Sequence, residues 1–126
     1  MVSVMMYTAS FYEPQNWVGK LYRVSRQHPR GFKTQWETLS FFYPPLDLLK
    51  GYRVGNLTFE EFESEYEQYL EIKYRTSIVP SWLNRLPAVG DFTLLCFEKA
   101  GLPCHRCVLA RWILKKMPDL QEGILV

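Results

Sequence analysis

The feature that most constrains the fold is the apolar run Phe92-Thr93-Leu94-Leu95-Cys96-Phe97, opened by Asp91 and followed, through Glu98 to Pro103, by Cys104-His105-Arg106-Cys107. A short, nearly continuous apolar run bounded by turn residues suits a strand buried on both faces. Beyond Pro103 the spacing turns helical: at about 100° per residue, Val108, Leu109, Trp112 and Ile113 share one broad apolar face. A buried strand, a tight loop and a helix start therefore follow one another. Function is sought at this junction, because the first N–H groups of a helix lack partners and carry a partial positive charge.

The remainder alternates strand and helix. Val2 to Ser10 reads as a largely buried first strand and Lys20 to Arg26 as a second, ended by the breaker cluster Gln27 to Gly31. The aromatic stretch Phe32 to Pro45 reads as irregular, since Pro44-Pro45 disfavours helix before it. Leu46 to Tyr52 is a short helix closed by Gly55-Asn56. Thr58-Phe59-Glu60-Glu61 spells a capping box, and Phe59, Phe62, Tyr66, Tyr69 and Leu70 then form one stripe. The glutamates between them, Glu60 to Glu67, read as a solvated face. Tyr74 to Pro80 is expected as a connector, Ser81 to Leu86 as a short helix stopped by Pro87 and Gly90, Pro103 as the first residue of the next helix, and Gly123 to Val126 as a last strand. Alternation of this kind specifies an α/β fold: one domain over 1–126, with an open, mostly parallel sheet flanked by helices in a Rossmann-like three-layer arrangement.

With 126 residues, 48% of them hydrophobic, the chain can bury a core without staples. Its net charge of +2 is too mild for the broad phosphate-binding surface of a general nucleic-acid binder, although a local basic pocket leaves nucleic acid open. No apolar run reaches membrane-span length, so no membrane partner is expected, and the opening Met1 to Met6 lacks the basic start of a secretory signal. The cytoplasm is the expected location. Three cysteines, an odd number, fit reduced thiols. No motif names a cofactor or an oligomeric state.

At the junction, Arg106 has the planar fork to hold a phosphate or carboxylate beside uncapped backbone N–H groups, or else it pairs with Glu98 or Asp91. Glu98 is an acid, base or nucleophile, or it orients His105 and Arg106. His105 either transfers protons or holds the loop through a backbone hydrogen bond. Cys104 and Cys107 have the C-x-x-C spacing of thiol exchange, though the helical wheel places Cys107 at the margin of the apolar face as a small buried residue. A zinc set of Cys96, Cys104, His105 and Cys107 has ligand types enough but lacks the paired knuckles of structural zinc motifs, so no metal is expected.

Tyr7-Thr8-Ala9-Ser10, Val24-Ser25-Arg26 with Pro29 and Gly31-Phe32, Pro45 with Leu48, Leu49 and Tyr52, and above all Leu94-Leu95-Cys96-Phe97-Glu98 with Cys104-His105-Arg106 carry a resemblance. Over most of its length the chain resembles the small bacterial and archaeal proteins of domain of unknown function family 488. The resemblance implies an α/β domain whose Leu-Leu-Cys-x-Glu strand end and Cys-His-Arg helix start meet around one pocket. It supplies no substrate, and Cys107 lies outside the family pattern. The aromatic Ser40 to Pro45 stretch departs from that pattern.

Together these readings give a candidate enzyme that binds a phosphorylated or nucleotide-like small molecule at the strand ends and hydrolyses or transfers part of it. Arg106 holds the anion, with Cys96 beside it among the ligand-binding residues. Glu98 and His105 do acid–base work, Cys104 is a thiolate nucleophile or a support, and Ser10, Ser25 and Arg26 line the opposite wall. The alternatives are a non-catalytic interaction domain presenting exposed aromatics around Trp36 to Tyr43, and a thiol redox protein acting through Cys104 and Cys107.

Overall fold

The apolar run does form a strand, and it lies at the centre of the sheet. The computed structural model describes residues 4–98 and 104–125, with Ile124 described by its backbone alone. Five strands, β1 (Met5–Ser10), β2 (Lys20–Arg23), β3 (Glu37–Thr38), β4 (Phe92–Cys96) and β5 (Gln121–Leu125), pair in the order β3-β2-β4-β1-β5. Every pairing is parallel. β4 is buried at each position, because β1 and β2 flank it and both of its faces are covered.

Among the described residues there are four α-helices, α1 (Leu46–Arg53), α2 (Phe59–Tyr74), α3 (Ile78–Val89) and α4 (His105–Lys116). The connections from β1 to β2 to β3 travel one way across the sheet, and those from β3 to β4 to β5 travel back. Right-handed crossovers put opposite directions of travel on opposite faces. Accordingly all four helices pack in one core with Met6, Tyr22, Phe92 and Leu94. The other face is covered by a thinner layer in which Phe11, Trp17 and Trp36 close over Ala9, Leu21 and Leu95. Helices, sheet and this aromatic layer make the three layers of a single α/β domain.

Local chemistry accounts for the elements. Thr58 Oγ1 accepts from Glu61 N at 3.1 Å, and Glu61 Oε1 accepts from Thr58 N at 3.0 Å, so the capping box expected from sequence closes α2. Phe62, Tyr66 and Leu70 form its buried stripe. Thr58→Ala is expected to cost about 0.5–2 kcal/mol of unfolding free energy in urea titration. A change below a few tenths would show that tertiary packing alone fixes this helix start.

Several boundaries differ from the sequence reading. α3 begins at Ile78, because Pro80 falls in the first turn, where the missing N–H has no helical partner to lose. It also runs through Pro87 to Val89 and ends at Gly90, whose φ of +87° terminates it. Residues 32–45 are not wholly irregular: they contain the two-residue β3, in register with Tyr22 and Arg23, and a 3-10 turn at Ser40–Phe42. β2 ends at Arg23, although Val24 N still donates to Leu95 O at 3.1 Å. α4 starts at His105, with Cys104 extended at φ −150° as its N-cap. Val2, Ser3, Pro103 and Val126 lie outside the described residues.

Among the described residues no helix is long and apolar enough to cross a membrane.

Candidate functional site

The parallel sheet aligns the carboxyl ends of β2 and β4 with the start of α4, and a cleft opens there. Its cavity volume is about 70 Å³. Ser25, Arg26 and Gln27 border it after β2, and Cys96, Phe97 and Glu98 after β4. Cys104 and His105 come from the start of α4; Leu46, Leu49, Tyr52 and Arg53 from α1; and Phe59 and Phe62 from α2.

Glu98 is the hub. Its Oε2 accepts from Cys104 Sγ at 3.0 Å and from Cys96 Sγ at 3.3 Å. Burial pushes its pKa up, but the Cys104 thiol, its own backbone N–H, the Cys96 thiol and the nearby His105 outweigh burial, so the carboxyl titrates below its ordinary 4.5. The position is braced from behind: Ser10 Oγ donates to the carbonyl of Phe97 at 2.9 Å and accepts from Tyr12 N at 3.1 Å.

His105 is buried, and its Nε2 lies 2.8 Å from Val24 O. A carbonyl only accepts, so Nε2 carries the proton. The backbone bond anticipated as one alternative for His105 is therefore made, and it ties α4 to the end of β2. Burial acts to lower the His105 pKa, but Cys104, the Val24 carbonyl and Glu98 together carry it above 6.5. Tyr66 closes the ring from the core side, edge-on at 5.8 Å, and its hydroxyl donates to Phe42 O at 2.6 Å.

Cys104 is not poised as a thiolate. Burial, reinforced by the Cys96 sulfur, pushes its thiol well above the ordinary 9.0. Cys107 turns elsewhere, its Sγ lying 3.9 Å from Thr8 Oγ1, so the two C-x-x-C sulfurs engage different partners. All three thiols are unbridged.

The pH dependence follows from these directions. A carboxyl depressed by folding stabilises the native state above 4.5 and loses that contribution as pH falls through its folded value. A thiol raised by folding stabilises fully below 9.0 and loses its contribution as pH rises from there toward its folded value. His105, raised above 6.5, stabilises fully below 6.5 and loses its contribution as pH rises through its folded value. Stability is therefore expected to decline below 4.5 and in steps from 6.5 upward in urea titrations from pH 3 to 10.5, and Glu98→Gln should flatten the acid side. An unchanged acid limb in that variant would remove Glu98 as its source.

Of the residues expected at the site, Glu98, Cys96, Cys104, His105, Ser25 and Arg26 line one cleft. Ser10 braces it without lining it. Arg106 is wholly buried in the first turn of α4 and is not part of the lining. Asp91, once a candidate partner for Arg106, sits before β4 at the opposite end of the sheet, where Oδ1 accepts from Met5 N at 3.0 Å. The aromatic surface expected around Trp36 to Tyr43 is not exposed: Trp36 is buried in the layer covering one face of the sheet, Phe42 in the helical core on the other, and Tyr43 against Arg23 and Arg26. Sequence reasoning missed Arg53 and Tyr52. Leu46, Leu49 and Arg53 stand at i, i+3 and i+7, one face of α1, and this spacing was the available signal.

A family model described as "Active DUF488-N3 subclade" matches residues 5–117, spanning every element that builds the cleft. The chain belongs to this family. The DUF488-N3 assignment bears out the resemblance carried by the Leu-Leu-Cys-x-Glu and Cys-His-Arg motifs, of which Cys96, Glu98, Cys104 and His105 line one pocket in this member of the family. No curated protein matches the chain, nor does any solved structure.

Proposed function

We propose that this DUF488-N3 protein is an enzyme acting on an anionic, ring-bearing small molecule of the nucleotide type, by hydrolysis or group transfer. The carrying observation is the composition of the cleft: a carboxylate fixed by two thiols faces two arginines and a set of aromatic rings across a single opening. Arg26 and Arg53 supply exposed guanidinium groups able to grip a phosphate in two places. Arg26 is steadied at the rim by Pro44 O at 3.1 Å and by the Tyr43 ring. Tyr52, Phe59 and Phe62 offer an apolar wall suited to a flat heterocycle. Arg106 contributes buried positive charge at the first turn of α4.

In this reading Glu98, ionised at neutral pH, is the base or nucleophile, and His105 positions the α4 start while stabilising negative charge. Cys104 supports Glu98 as a donor. The description of the subclade as active agrees with a catalytic use of the site.

Thermal shift tests the binding half. Among inorganic phosphate, nucleotides and sugar phosphates, a ligand at about 100 times its dissociation constant stabilises the native state by about 2.7 kcal/mol. Arg26→Ala and Arg53→Ala are expected to remove that stabilisation while leaving the unliganded midpoint nearly unchanged, since both side chains are exposed. No shift with any ligand, or a shift indifferent to both arginines, would overturn the proposal.

A further inference from the structure

The thiols and imidazole at the cleft floor form a constellation that acid–base chemistry alone does not use. We infer that Cys96, Cys104 and His105 form a three-ligand binding site for a thiophilic divalent cation of the zinc type. The metal would take up the two thiols that donate to Glu98, so it shares side chains with the proposed catalytic site, but its test does not rest on that reading.

The donor atoms of Cys96, Cys104 and His105 all lie within 4.8 Å of one another, and all three residues are buried. In a tetrahedral site with Zn–S of about 2.3 Å and Zn–N of about 2.0 Å, sulfur and nitrogen stand about 3.5 Å apart. Cys96 Sγ is 3.6 Å from His105 Nδ1. Glu98 Oε2, at 3.3 Å from the Cys96 sulfur and 3.0 Å from the Cys104 sulfur, borders the two sulfurs from outside this set, so three protein ligands leave a fourth position open.

The tautomer favours the same outcome. Because Nε2 donates to Val24 O, the lone pair of neutral His105 resides on Nδ1, and a backbone carbonyl holding the far nitrogen is the usual support of a metal-bound histidine. Cys96 Sγ is also 3.8 Å from Nε2, so it sits against the ring edge, and a rotation of the Cys96 side chain brings it to the Nδ1 side as the metal binds. Two thiolates and an imidazole suit zinc or cobalt better than magnesium or calcium, whose preferred ligands are all oxygen. Sequence spacing discounted this site for want of paired knuckles. The sheet supplies what spacing lacks: it carries Cys96 to the helix start beside Cys104 and His105, while Cys107 falls outside the set.

The test is a cobalt(II) titration of the full chain under reducing conditions, followed by back-titration with zinc. One equivalent is expected to produce thiolate-to-cobalt charge-transfer absorption and the intense visible bands of a tetrahedral site, both abolished by zinc. Cys107→Ser should leave the spectrum unchanged, whereas Cys96→Ser and Cys104→Ser should weaken cobalt binding by more than about 100-fold. Alkylation of the wild type, read by mass spectrometry, gives the same answer without variants: zinc should protect Cys96 and Cys104 and leave Cys107 unprotected. Absence of thiolate absorption in the wild type, or protection that includes Cys107 and omits Cys96, would overturn the inference. Neither readout requires turnover, so failure here and failure of the enzymatic reading are separable.

Discussion

Glu98→Gln is expected to reduce turnover of the anionic substrate by about 10²–10⁴-fold, the usual worth of a positioned acid–base group, while ligand-induced stabilisation persists. Gln keeps the shape of the side chain and one acceptor for the thiols of Cys96 and Cys104, but it cannot take a proton or form a covalent ester. A loss confined to kcat, with thermal shift by the same ligand retained, places Glu98 in the chemical step. Equal losses of binding and turnover would instead make Glu98 a strut that shapes the cleft. Unaltered turnover would remove it from the mechanism altogether.

The second large effect is on stability. Trp82 on α3 is 4% exposed, with its ring 5.2 Å from Phe42, 5.5 Å from Tyr22 and 6.2 Å from Phe92. It thus joins the helical layer to β2, β4 and the turn before α1. Trp82→Ala is expected to cost about 3–5 kcal/mol, from lost burial and the cavity left among rings that cannot collapse into it. Domains of this kind have about 5–15 kcal/mol in all, so the urea midpoint should fall steeply. A cost under about 1 kcal/mol would mean that the surrounding rings repack freely.

The parts of the fold legible in sequence were those fixed by local chemistry. Phe92 to Cys96 announced a strand buried on both faces, and Thr58 with Glu61 announced a helix start, because in each case the deciding interactions lie within a few residues. β3 was not legible: Glu37 and Thr38 have no apolar alternation, and only their pairing with Tyr22 and Arg23 makes them a strand. The limits of α3 were misjudged because Pro80 and Pro87 read as breakers, yet one falls in the first turn and the other loses a single bond near the end.

At the site, Glu98, Cys104 and His105 were visible as chemistry-bearing residues between a strand and a helix. Their joining was not, because whether Glu98 faces a thiol or a guanidinium depends on where β4 places Cys96. Arg53 lay hidden for a related reason. Its helix comes from a distant part of the sequence, and only packing of α1 against α2 brings it to the rim. The exposed aromatic surface foreseen near Trp36 is instead the cover of one face of the sheet, a use that hydrophobicity alone cannot distinguish from an interface.

The position of β4 also has a consequence for how the chain is made. β1 and β2 do not touch each other; each pairs with β4, Met6 and Lys20 both in register with Phe92. During synthesis the first two strands therefore emerge long before the segment that must separate them, and their N–H and C=O edges stay unsatisfied while α1, α2 and α3 are being added. Helices close quickly from local contacts, whereas a parallel strand inserted last must pay loop closure over most of the chain. Nascent chains arrested before residue 92 hold two orphan strand edges and are the species most exposed to aggregation or to chaperone capture.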